Sequence, residues 1–251
     1  MAVFSYDQIV RMACDPARFP GLGTAPVAGD AFSGMGLLLD CDGTLLDSID
    51  AWYLAEEHVA SSVGITITDE ARDEINALTL DEAAAYFHDH YDIGDNADEV
   101  KADIDAFMLQ YYRTRANEMP GALGFVKRMH EQGARQIVVS SSPSVFLEAG
   151  LAHAGFLPYL DGVISANDVG IPKREARMWD AACRMAGTDK ASTWAFDDSL
   201  YALDAARAAG YRVVGTYSHD MCSTHDELRE HADIAVENLG ELDPERLRAR
   251  R

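Results

Sequence analysis

Two carboxylates two residues apart, Asp40 and Asp42, follow three leucines in LLLDCDGTLLDS, residues 37–48. The leucine run, broken at Gly43, reads as a short buried strand, on which positions i and i+2 share a side while Cys41 turns to the other. Carboxylates drawn together out of water repel each other and lose hydration, so the pair needs a neutralising partner, and a divalent cation fits that need. Three later stretches carry groups suited to the same place: hydroxyls in IVVSSSP (Ser140, Ser141), an amine in NDVGIPK (Lys173) and a second acid pair in TWAFDDS (Asp197, Asp198). Any one of them alone reads as a helix cap or a solvated lysine. Taken together, they recur at successive strand ends.

Those ends belong to a regular pattern. After Pro120-Gly121 the periodicity alternates: helix 121–132, strand 136–140, helix 143–154, strand 162–165, helix 174–186, strand 193–196, helix 199–209, strand 212–216, helix 224–231, then 233–236. Repeated β-α units imply a parallel sheet with helices on both faces, and ligands bind beyond the carboxyl ends of such strands. Between the first two strands the pattern is helical only, over 48–62, 69–77, 81–91 and 97–117, with Val100, Ile104, Phe107, Met108 and Tyr111 at helical spacing in the last. About 70 residues is too long for a connector and implies an inserted domain. The expected fold is α/β, a Rossmann-like parallel-sheet core over 37–48 and 119–251 with an inserted α-helical domain over 49–118. An N-terminal extension, 1–36, begins with a helix near 6–13.

The chain has 251 residues and a formal net charge of −21, with 21 basic against 42 acidic side chains. That surplus repels nucleic acid and anionic membrane surfaces, so neither is an expected partner. An anionic substrate must meet a local positive field. The cysteines, Cys14, Cys41, Cys183 and Cys222, form no CxxC pair, and no apolar run has transmembrane length. A reduced, cytoplasmic protein is expected.

DCDGTLLDS resembles the DxDGTxxDS signature of haloacid dehalogenase superfamily phosphatases; IVVSSSP, Lys173 in DVGIPK and FDDSLYALDAARAAG resemble their second, third and fourth motifs. The helical insert is similar to their α-helical cap, in the branch containing phosphoglycolate phosphatase and beta-phosphoglucomutase. The resemblance implies Asp40 as nucleophile, forming an aspartyl-phosphate, and Asp42 as general acid and base. It implies Mg²⁺ held by Asp40, the Asp42 backbone carbonyl and Asp198, with Asp197 adjacent or acting through water. Phosphate binding falls to Gly43, Ser140, Ser141 and Lys173. The expected activity is Mg²⁺-dependent hydrolysis of a small phosphorylated metabolite.

Asp42 argues against carbon–halogen cleavage, because true dehalogenases of the superfamily lack the second aspartate. A sugar phosphomutase is the alternative enzyme, but Trp52 stands where beta-phosphoglucomutase-like proteins carry a histidine. A catalytically silent phosphate-binding protein is the alternative outside enzymes. His88-Asp89-His90 reads as a polar helix face, and His219, Cys222 and His225 lack a fourth ligand. Cys41 reads as a core filler, and Asp204 as an acid that supports the site from behind or faces solvent rather than a ligand.

Overall fold

The computed structural model describes residues 31–76, 78, 80–218 and 223–248. The helix expected near 6–13, and His219 and Cys222, lie outside the described residues. The chain divides into two compact units, one running to Asp47 and resuming at Ala116, the other spanning Ser48–Arg115.

The second unit is helical: α1 (Asp50–Ser61), α2 (Asp69–Asn76), α3 (Leu80–Tyr91) and α4 (Ala97–Thr114). Asn96 starts α4 by accepting the Glu99 N–H at 3.0 Å, satisfying a donor that has no partner inside the helix. Its buried stripe is Val100, Ile104, Met108 and Tyr112, whereas Phe107 and Tyr111 are half-buried. Steps of four residues carry the contact line slowly round a helix of 3.6 per turn, which selects Tyr112 over the expected Tyr111. The helix stops at Thr114, earlier than expected. His88 turns Nδ1 to the Ile93 carbonyl at 3.0 Å, and His90 stacks on Tyr86.

In the first unit the strands are β1 (Gly36–Leu39), β2 (Leu46–Asp47), β3 (Asn117–Glu118), β4 (Arg135–Ser140), β5 (Gly162–Ser165), β6 (Thr193–Asp197), β7 (Arg212–Thr216) and β8 (Ile234–Val236). Six form one parallel sheet in the order β5-β4-β1-β6-β7-β8, while β2 and β3 make a separate antiparallel pair. That pair claims Asn117, which the periodicity assigns to a helix. Leu38 sits in register with Ile137 on one side and Ala195 on the other, placing β1 at the centre of the sheet. The chain builds outward in one direction through β4 and β5, then in the other through β6, β7 and β8. The crevice at this reversal, beyond the ends of β1, β4 and β6, is where such a sheet binds ligands.

Both faces of the sheet are covered, so the strands read as unbroken apolar runs. The helices here are α5 (Ala122–Glu131), α6 (Ser144–His153), α7 (Ala166–Val169), α8 (Ala176–Ala186), α9 (Leu200–Ala208), α10 (His225–His231) and α11 (Glu245–Arg248). Met178 and Trp179 of α8 join a core with Leu38, Ile137 and Ala195. Phe125 of α5 meets Phe196 of β6, ring centroids 5.8 Å apart. Each fully buried side chain of this size contributes on the order of 1.5–3 kcal/mol, which keeps the strand ends rigid beneath the polar groups they carry. Among the described residues, no helix is long and apolar enough to cross a membrane.

Candidate active site

Asp40, Ser140, Ser142, Lys173, Asp197 and Asp198 are all buried at one edge of the sheet. β1 ends at Leu39, one residue before the first carboxylate, but the Asp40 N–H still donates to the Phe196 carbonyl at 2.9 Å. Asp40 is therefore fixed as if on the strand. Asp42 is not: the chain has already left the sheet, and the N–H groups of Leu45 and Leu46 both donate to the Cys41 carbonyl in a tight turn. The turn aims Asp42 at β4, where the Ser142 hydroxyl donates to its Oδ2 at 2.7 Å. Ser140 Oγ stands at 3.4 Å from the same oxygen, a weak contact, and accepts the Ser142 N–H at 3.1 Å. Ser141, the exposed member of the run, meets the Tyr201 hydroxyl.

Lys173 lies in the turn before α8, where the Trp179 indole N–H donates to its carbonyl at 2.8 Å. The reading of a solvated lysine fails here, since its side chain is only 3% exposed. Nζ stands 2.5 Å from Asp40 Oδ1 and 2.6 Å from Asp197 Oδ2. The second contact pairs the buried Asp197 Oδ2 with the ammonium. Asp197 Oδ1 accepts the Ser199 N–H at 3.0 Å. Asp198 is held by the hydroxyls of Ser218, at 2.5 Å, and Ser199, at 3.1 Å, while Ser223 donates to its carbonyl.

Carboxylate oxygens of Asp40, Asp197 and Asp198 lie within 4.8 Å of one another, all three residues buried. Three carboxylates face one ammonium, and the electrostatics follow from that. Burial pushes the Asp40 carboxyl well above its ordinary range, and Asp197 and Asp198 add to the push while Lys173 opposes it. Burial, then Asp197, raises Asp198 to about 6. Burial disfavours the charged Lys173, yet Asp197 and Asp40 outweigh it and hold the ammonium above its usual pKa. Burial, with Asp42 and Asp40 next, raises the Cys41 thiol and makes it an inert filler. An all-oxygen donor set with surplus negative charge fits a hard divalent cation such as Mg²⁺.

Gly43 lets this cluster close. Its φ is +81°, and an added Cβ would run into the Asp198 carboxylate and the Ser218 Cβ. Gly43→Ala is expected to cost about 1–3 kcal/mol in urea unfolding and to weaken cation binding more than tenfold. Gly187→Ala is the control, because Gly187 also has positive φ (+66°) but has open space around it. Equal losses in both variants would mean that the contact with Asp198 contributes nothing.

Ser142 and Ser218 are part of the site and were not anticipated. The SSSP run contains Ser142, but spacing alone does not tell which hydroxyl turns toward Asp42. Ser218 follows β7, the neighbour of β6, so its end opens on the same crevice and could have been searched. Tyr201 was also missed. Its residue is 53% exposed, yet its hydroxyl meets Ser141 and lies within the field of Lys173. Asp204 is solvent-facing and pairs with His231 at 2.7 Å.

The model of a family described as "Hydrolase: haloacid dehalogenase-like hydrolase" matches residues 35–210. The chain belongs to this family. The match spans all four motifs that carry the resemblance. Among similar members, a validoxylamine A 7'-phosphate phosphatase of Streptomyces hygroscopicus subsp. limoneus is 27% identical over 208 residues, covering 82% of this chain and 94% of that protein. The GMP/IMP nucleotidase YrfG of Escherichia coli (strain K12) is 25% identical over 214 residues, covering 79% and 90%. In structure, CbbY from Rhodobacter sphaeroides in complex with phosphate superposes with a TM-score of 0.67 at 21% identity, covering 83% of this chain and 96% of that one. That likeness places this haloacid dehalogenase-like hydrolase in a shared fold.

Proposed function

We propose that the protein is a Mg²⁺-dependent phosphatase of small phosphorylated metabolites, working in the cytoplasm through an aspartyl-phosphate at Asp40. The observation that carries this reading is the buried cluster of Asp40, Asp197 and Asp198, in which Lys173 pairs with Asp40 and Asp197. The phosphatase and nucleotidase activities for which its relatives are named support it.

A carboxylate is a competent nucleophile because its attacking oxygen needs no base to deprotonate it. In the first step one Asp40 oxygen bonds to phosphorus as the bond to the alcohol oxygen breaks, and Asp42 delivers a proton to that oxygen. In the second, Asp42 takes a proton from water, which attacks phosphorus and releases inorganic phosphate from Asp40. A placed acid and base of this kind contributes about 10²–10⁴-fold, and Ser142 orients Asp42 for it. Lys173, with Ser140, the Ser141 N–H and the backbone at Gly43, holds the phosphoryl oxygens. Asp40, Asp198 and the Asp42 carbonyl, with Asp197 beside them, would hold Mg²⁺, which would supply Lewis-acid polarisation of the phosphoryl group and offset its repulsion by the carboxylates.

With Mg²⁺ the protein is expected to hydrolyse p-nitrophenyl phosphate, to stop on addition of EDTA, and to resume when Mg²⁺ is returned in excess. Beryllium fluoride should bind at Asp40. An isomerised sugar phosphate without phosphate release would favour the mutase, and no turnover across a wide panel of phosphate esters would favour the silent binding protein.

A further inference from the structure

The helical unit contains a half-open pocket of about 250 Å³ whose described walls come from within that unit: Trp52 and Glu56 of α1, Ile75 of α2, Leu78 between α2 and α3, Ala83 and Phe87 of α3, and Ile104 of α4. Among its described lining residues, Glu56 alone is ionisable. Its side chain is only 12% exposed, and Oε2 accepts from Arg72 Nη1 at 3.0 Å. Burial pushes this carboxyl up to about 7, against the opposing pull of Arg72. A carboxyl set into an apolar wall is unfavourable for packing alone, but it is compensated when a ligand brings a donor to it.

We propose that this cavity binds a compact, flat, uncharged apolar group carrying one N–H or O–H donor, which Glu56 accepts. Size, charge and polarity each narrow the ligand. A dry cavity of about 150 Å³ admits benzene, so this larger one admits a two-ring group, with Trp52 and Phe87 offering aromatic faces. Arg72 already balances Glu56, so a cationic ligand would add a second positive charge beside the guanidinium. A polyol would strip water from several hydroxyls where a single acceptor waits. The site uses no residue of the carboxylate cluster, and its occupancy is independent of the phosphatase reading.

Indole and N-methylindole, which differ in the donor and one methyl group, test it by calorimetric titration of the full chain, with Glu56→Leu separating loss of the donor from the added bulk. Indole should bind saturably, one per chain, and at least tenfold more tightly than N-methylindole. Glu56→Leu should erase that preference. Ala83→Leu, which fills the cavity, should weaken both ligands at least tenfold while the circular dichroism melt stays cooperative. If Ala83→Leu does not fold, the indole to N-methylindole ratio in wild type and Glu56→Leu decides alone. Absence of saturable indole binding by the wild type, equal affinity for the two ligands, or tighter binding of sorbitol than of indole would overturn the proposal. Hydrolysis of p-nitrophenyl phosphate by the same preparation reports on the catalytic reading separately.

Discussion

Asp40→Asn is expected to lower Mg²⁺-dependent hydrolysis of p-nitrophenyl phosphate by at least about 10⁴-fold, the scale on which removing a nucleophile acts. The amide keeps the shape of the side chain, so Lys173 retains its place beside Asp197, 2.6 Å away. What is lost is the attacking oxygen's charge and one anionic ligand of the cation. Folding should not suffer. The wild-type cluster sets three buried carboxylates against one ammonium, and the variant removes one of the repelling charges. Because the folded state raises the pKa of Asp40, ionising it works against folding: the cost is absent below the unfolded pKa of about 4 and grows as pH rises above it. Without metal, the variant should therefore melt at or above the wild-type temperature at pH 7, and the two should converge as pH falls toward 4. An inactive but well-folded Asp40→Asn separates chemistry from structure. Residual activity within tenfold of wild type would remove Asp40 from the nucleophile's role.

The parts of this site legible in the sequence are those where strand periodicity and residue type point the same way. Asp40 and Asp197 finish apolar runs, so strand periodicity alone places each at a strand end. The α/β class follows from the same alternation, and the parallel sheet bears it out. Asp42 shows the limit of the period-two rule. The turn at Gly43 begins immediately after Asp40, and backbone hydrogen bonds to the Cys41 carbonyl, rather than strand geometry, direct its side chain. Lys173 was legible only through the family motif, since a lone lysine in a loop carries no sign that it will be buried. Ser142 and Ser218 depend on which hydroxyl of several faces inward, a tertiary fact without a local code. The two-residue strands β2 and β3 are too short for any period to register. Nothing in the local pattern around Glu56 marks it as a pocket wall, because the rest of the lining comes from distant parts of the helical unit.

Lys173→Met tests whether one ammonium holds the cluster together. Methionine matches much of the stem's volume and packing but leaves Asp40, Asp197 and Asp198 facing one another without a cation. Removing one partner from a buried ion pair costs about 3–5 kcal/mol, so in EDTA the melting temperature should fall by about 6–20 °C for a protein of this size. The loss should shrink as pH drops toward 4, where protonation of the carboxylates relieves the same repulsion. Millimolar Mg²⁺ should restore part of the stability, because a divalent cation supplies positive charge to the same oxygens. Activity should stay low even then, since the phosphoryl oxygens have lost their lysine. Lys173→Arg sharpens the distinction: it keeps the charge, but its planar fork must fit a slot where the native side chain is 3% exposed. That variant should recover stability in EDTA more than it recovers turnover. If Lys173→Met instead melts like wild type in EDTA and Mg²⁺ shifts neither protein, the three carboxylates are not a cation site and Lys173 is not what permits them to coexist.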